Sequence, residues 1–236
     1  MKLIDLSNPI EPSSKNPYQQ QDALAKTMID TYATFEVTGY YDCALYMSDH
    51  AGTHVDSTNH FNPEGKPVDE IPLEAMYGDA AVLDLSHIKA GENVTVEDLR
   101  EAAERAGVDV ETVSIILLYT GRGRLWGTRE YHWDIFNMTP EATEWLIDRG
   151  VKVIGVDMAC FECDRLRFGV DTSLQPWDSR RYPAHSLMRR REFYIIENLN
   201  NLDKIHKPRF TFIGFPLKIR GASGSPIRAV ALIEEE

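Results

Sequence analysis

Apolar and polar positions alternate with a period near two over residues 31–40 (TYATFEVTGY) and 42–48 (DCALYMS), which predicts a half-buried hairpin. Residues 79–86 (DAAVLDLS), 112–121 (TVSIILLYTG) and 151–158 (VKVIGVDM) are apolar almost throughout, as strands covered on both faces are. Between these runs the period changes to that of a helix. In TVEDLREAAERAGV (95–108), Thr95 is the expected N-cap and Asp98 completes a capping box. In TPEATEWLIDRG (139–150), Thr139 caps, Pro140 takes the first helical position and Gly150 stops the helix. A short helix is expected at 183–191 (PAHSLMRRR), and strands at 2–11, 192–199, 209–219 and 226–235. The polar stretch 13–23 (SSKNPYQQQDA) reads as an exposed loop. Strands at both ends and strand–helix alternation in the middle predict a mixed α/β class with one continuous core, a single domain over residues 1–236.

Composition narrows what such a domain does. With 25 Lys and Arg against 37 Asp and Glu, the net charge is −12. A nucleic-acid partner needs a basic face, and the one basic run, LMRRR at 187–191, is too short to supply it. No run of 18 apolar residues exists, which excludes a membrane-spanning helix. The opening MKLIDLSNPI reads as a first strand and not as a secretory signal. Cys43, Cys160 and Cys163 make no closed disulfide framework, and the CFEC motif lacks the second ligand pair of a structural zinc site. The cysteines are read as ordinary reduced thiols of a cytoplasmic protein.

The chemistry is concentrated between residues 48 and 61 (SDHAGTHVDSTNHF), where three of the seven histidines fall. Gly52, Thr53, Val55, Ser57 and Thr58 disfavour a helix there. If 54–56 is extended, His54 and Asp56 point to the same side, and Gly52 lets the preceding turn fold His50 back onto it. Two imidazoles and a carboxylate suit a divalent ion of the Zn, Mn or Fe kind, with a position left open for water. His60 either adds a ligand or, with an imidazole that titrates near neutrality, moves protons. Asp49 is set aside as a bystander. His87, His132 and His206 are read as surface or hydrogen-bonded core histidines. Phe61, Trp126, His132 and Trp133 are the aromatic residues available to line a substrate pocket. The loop TGRGRLWGTREYHW at 120–133 has no phosphate-cradling pattern, so no nucleotide is implied.

HAGTHVDSTNHF at 50–61 matches the motif H-x-G-T-H-x-D-x-x-x-H-F. On that motif, and on GVDM, AHSLMRRREFYIIENLNNL and PLKIRGASGSPIRAVAL further along, the chain resembles the metal-dependent cyclase superfamily of kynurenine formamidases and isatin hydrolases. The resemblance implies a swivelling β/β/α fold in dimers or tetramers. It implies one or two divalent ions, zinc or manganese. His50, His54 and Asp56 would be ligands of a first ion, His185 and Glu197 of a second, with Asp56 bridging and His60 transferring protons. The implied activity is hydrolysis of an amide-type C–N bond, a formamide or a cyclic amide, in a small aromatic or cyclic substrate. Lactone hydrolysis, cyclisation or dehydration is the alternative, and a metal-binding protein without turnover the remotest one. Two departures stand out. The chain has Asp-Ser-Thr at 56–58 where relatives often have Asp-Ala-Pro, and residues 13–23 lack the Trp-Pro-x-Asp stretch of kynurenine formamidases, which argues against kynurenine specificity.

Overall fold

Strands that are apolar at every position have both faces covered, and two of them form the middle of one large sheet. The computed structural model describes residues 1–18, 25–175 and 178–234. Its strands are β1 (Lys2–Asp5), β2 (Met28–Ala33), β3 (Asp42–Tyr46), β4 (His54–Asp56), β5 (Tyr77–Asp84), β6 (Asn93–Val94), β7 (Ile115–Tyr119), β8 (Asn137–Met138), β9 (Val153–Val156), β10 (Tyr194–Glu197), β11 (Phe210–Ile213), β12 (Gly224–Pro226) and β13 (Val230–Ile233). The helices are α1 (Phe35–Thr38), α2 (Val96–Ala106) and α3 (Pro140–Ile147). Nine strands pair in the order β1–β13–β11–β5–β7–β9–β10–β4–β12. β5, β7, β9 and β10 are parallel, and β4 joins β10 antiparallel. Parallel neighbours need a crossover, which α2 supplies between β5 and β7 and α3 between β7 and β9.

Alternation along the central strands divides the core in two. Ile116, Leu118, Ile154 and Ile195 pack with Leu99 and Ala102 of α2 and Ala142 and Leu146 of α3. Ile115, Leu117, Val153 and Ile196 meet Ile4, Val55 and Phe212 on the other face. Val55 therefore points away from the helices, and its neighbours His54 and Asp56 point towards them.

The helix signals hold: Thr95 Oγ1 accepts from Asp98 N while the Asp98 carboxylate accepts from Thr95 N. Thr139 caps α3, with Pro140 first. α3 ends at Ile147, earlier than the Gly150 stop predicts, and Gly150 carries the reversal at φ 90°. Three other expectations change. Residues 31–40 are extended only to Ala33; Phe35–Thr38 then form a helical turn, because the Thr38 hydroxyl donates to Thr34 O and Gly39 takes φ 80°. Residues 185–189 form a 3₁₀ turn in place of an α-helix. Strand pairing after Ile213 gives way to a single bridge, Pro216 to Ile227. Of the expected 13–23 loop, residues 19–23 lie outside the described residues, as does residue 235 of the closing strand. Among the described residues no helix is long and apolar enough to cross a membrane.

Candidate metal centre

Ligands in open α/β sheets collect beyond the carboxyl ends of parallel strands, and the buried polar residues of this chain gather at the ends of β9 and β10. Gly52, at φ 64°, turns the chain back, and any Cβ there would sit 2.7 Å from Ile10 Cγ1. The turn returns His50 over β4, where its Nδ1 lies 2.7 Å from Asp56 Oδ1. His54 Nε2 is 3.3 Å from the same oxygen. Glu197 stands opposite His54 in the β10–β4 register and brings Oε2 to 3.6 Å from His54 Nε2. His185 Nε2 completes the cluster, 3.5 Å from Glu197 Oε1 and 3.8 Å from Asp56 Oδ2. The five residues predicted as ligands thus meet at one point, and all are buried.

Their tautomers follow from the outer partners. His54 Nδ1–H donates to Gly52 O at 2.9 Å, and His185 Nδ1–H donates to Glu162 Oε1 at 2.8 Å. The Ser223 hydroxyl donates to Asp49 Oδ2, so its oxygen accepts from His50 Nε2–H at 2.9 Å. Each ring therefore spends its outward N–H on a fixed acceptor and turns the other nitrogen to Asp56 and Glu197. This is the arrangement that readies an imidazole for a cation. Among the described residues, donor atoms within 4.8 Å of one another form three overlapping groups: His50, Asp56 and His60; His54, Asp56 and Glu197; Cys160, His185 and Glu197.

Electrostatics fit the same reading. The ion-pair partners of Asp56 and Glu197 are imidazoles. Burial alone would lower the imidazole pKa values, yet hydrogen bonds and charge from Asp56 raise His54 to about 9, and Glu162 with Glu197 raises His185 to about 10. Metal-free, the pocket draws in protons to offset its acids; a divalent cation does the same with fewer groups. Asp56 is held well below the usual carboxylate range: burial opposes this, but His50 and His60 outweigh it.

His60 lies at the mouth, exposed on its outer side, with its ring 4.2 Å from that of His50 and 4.9 Å from that of Phe61. Loss of hydration and the neighbouring His50 and His185 push it down to about 4, against the pull of Asp56 and Glu197. In the metal-free protein it is therefore neutral at pH 7, titrating below the near-neutral range expected from the sequence. Beside it opens a cleft of about 350 Å³ lined by His60, Phe61, Tyr182, Arg181 and Arg189. The Phe61 ring also packs 4.9 Å from that of His185.

The other sequence candidates lie elsewhere. Trp126 packs edge-on against Tyr131, and Trp133 packs against Phe168 under Arg167. His132 is a buried core histidine that donates from Nε2 to Tyr18 O, and His87 and His206 are exposed. Four contributors were not legible as such. Glu162 accepts from Ala184 N as well as from His185, Asn198 Nδ2 donates to Gly52 O, Ser223 holds His50, and Cys160 belongs to a donor group. Asp49, set aside above, accepts from Ser223 N, Ser223 Oγ and Gly224 N. Glu162 and Cys160 could have been suspected from their position just after an apolar strand, where polar residues face a site.

The sequence model of the Cyclase family matches residues 4–163. The chain belongs to the cyclase family. It is 32% identical over 235 residues to a kynurenine formamidase of Paracidovorax citrulli, covering 97% of this chain and 95% of the relative. It is 31% identical over 186 residues to a kynurenine formamidase of Geobacillus thermodenitrificans, covering 78% and 77%. Among solved structures, isatin hydrolase A of Ralstonia solanacearum superposes with a TM-score of 0.82 at 26% identity, covering 99% of this chain and 92% of that one.

Proposed function

We propose that this protein is a metal-dependent hydrolase of a non-peptide amide C–N bond, a formamide or a cyclic amide, in a small aromatic or cyclic substrate. The carrying observation is the orientation of three imidazoles: His50, His54 and His185 commit their outward N–H groups and turn their remaining nitrogens to Asp56 and Glu197. His50, His54 and Asp56 would hold one divalent ion, zinc or manganese, and His185 and Glu197 together with Asp56 would hold a second. The amide substrate class draws further support from relatives whose names are kynurenine formamidase and isatin hydrolase.

A cation there supplies Lewis-acid chemistry, acidifying water and polarising a carbonyl. The chain does the rest. His60, packed over His50 and lining the cleft, takes the proton released as water attacks and delivers it to the departing nitrogen. Phe61 and Tyr182 give the cleft aromatic walls on which a planar substrate stacks, and its volume of about 350 Å³ suits a small molecule. Three free thiols suit a reducing cytoplasm.

Homodimers or homotetramers are part of the same reading. The β2–β3 hairpin forms its own small sheet and exposes Tyr32 (68%), Phe35 (68%), Val37 (85%) and Leu45 (60%). Apolar surface clustered to that degree marks a protein contact.

The test is a panel of aryl formamides, cyclic aryl amides and aryl lactones, assayed with zinc or manganese and after chelation. Turnover of a formamide or cyclic amide, abolished by chelation and restored by metal, is expected. Turnover of lactones alone moves the activity to C–O bonds. Tight metal binding with no turnover of any of the three overturns the hydrolase reading.

A further inference from the structure

The proposed metal ligands do not exhaust the donors at this centre. Cys160 is 8% exposed and follows β9, on the loop that carries Phe161 and Glu162. Its Sγ, the His185 imidazole and the Glu197 carboxylate bring one ligand atom each within 4.8 Å of one another. The flanking residues fix this loop against the same partners. Phe161 N donates to Glu197 Oε1 at 2.7 Å, and Glu162 accepts from His185 N and Nδ1. Burial and the Glu197 carboxylate push the Cys160 thiol well above its ordinary value, so without a cation the sulfur keeps its proton.

We propose that Cys160 supplies a thiolate to the cation held by His185 and Glu197, making that position a Cys–His–carboxylate site for zinc-like cations. This rests on the metal reading above and adds a ligand to it. Charge supports the assignment. Of the buried acids, Asp56, Glu162 and Glu197 are those paired with His50, His54 and His185, and with a Cys160 thiolate they carry four negative charges, as many as two divalent ions offset. Binding exchanges the S–H proton for the cation and releases that proton to solvent; nothing is oxidised or reduced. Thiolate is a soft donor, so this position prefers Zn²⁺, Co²⁺ or Cd²⁺ to Mg²⁺ or Ca²⁺. The other end, with His50, His54 and Asp56 and no sulfur, stays open to harder ions such as Mn²⁺. Cys163 is the natural control: it lies three residues on, in the helix-side core, and stands in no donor group among the described residues.

The test is spectroscopic. Protein freed of metal by chelation under reducing conditions is titrated with Co²⁺ and separately with Cd²⁺. The expected result is an intense near-ultraviolet thiolate-to-cobalt charge-transfer band in the wild type and in Cys163→Ser. Cys160→Ser should lose that band while keeping weaker visible cobalt bands, which report that the variant is folded and still binds. Its affinity for one Cd²⁺ equivalent should fall by at least about tenfold. Cobalt bound without a charge-transfer band in the wild type overturns the proposal, as does a full band in Cys160→Ser. A wild type that binds no cobalt at all overturns the metal reading itself.

Discussion

Glu197 lies opposite His54 in the antiparallel pairing of β10 with β4, and its Oε2 stands 3.6 Å from His54 Nε2. Residues 143 positions apart thus become cross-strand neighbours on the helix side of the sheet, where side chains directly opposite are closest. Glu197 Oε1 also accepts from Phe161 N, so the carboxylate is fixed at both ends. Glu197→Gln preserves size and that acceptor but removes the charge. Bound metal, measured by elemental analysis after equilibration at a buffered free-ion concentration, should fall with an affinity loss of about tenfold or more. Unchanged metal content would remove Glu197 from the ligand set.

In the proposed reaction His60 moves protons and does not hold metal. Its ring packs over His50, yet the residue opens to the cleft with Phe61 and Tyr182. His60→Ala should keep its metal and lose turnover by about 10²- to 10⁴-fold, the usual range for a lost general base. Retained metal with a nearly unchanged rate would sink the role. Lost metal would return His60 to the ligands, the alternative its place with His50 and Asp56 leaves open.

The near half of this centre was legible because it is local. Period-two geometry puts His54 and Asp56 on one side, and a left-handed glycine at 52 folds His50 back, both read directly from twelve residues. His185 and Glu197 came only through the family resemblance, since no pattern in the sequence states that β10 pairs with β4. The outer partners were least legible of all. Asp49 looked incidental because its acceptors' donors, Ser223 and Gly224, lie at the far end of the chain. Residues 35–38 misled for a different reason: alternation there reflects apolar residues on an exposed turn, not a buried strand face.

Asp49 offers a check on that reassignment. Its carboxylate takes three hydrogen bonds from Ser223 and Gly224, and Ser223 in turn accepts from His50. Gly224 cannot carry a side chain, since a Cβ would lie 2.8 Å from His50 Cε1, so the segment fits the ring closely. Asp49→Ala should cost about 1–3 kcal/mol of stability in denaturant titrations and weaken metal binding by about tenfold. A variant that loses neither would restore Asp49 to a bystander.

Metal removal has a pH signature. In stripped protein His54 titrates at about 9 and His185 at about 10, both above the ordinary 6.5. Raised folded pKa values contribute stability that is complete below about pH 6.5 and lost as pH rises through 9 to 10. The thermal midpoint of the stripped protein should therefore drop between pH 7 and 10. With a cation in place these rings carry no second proton to lose, and the midpoint should stay level over that window. Parallel pH profiles for the two forms would mean that the imidazoles and the cation do not compete for the same place.

The β2–β3 hairpin bears on assembly. Phe35 and Val37 sit on the turn between β2 and β3, and Leu45 on β3, all more than half exposed. None belongs to either buried core, so charging them costs the fold little. Phe35→Glu combined with Leu45→Glu should leave the circular dichroism spectrum intact and move the protein to a smaller species in light scattering after size exclusion. If the wild type already runs as a monomer at micromolar concentration, the hairpin has no second copy to cover it and the oligomer reading fails. If the double variant keeps the wild-type mass, the assembly uses another face.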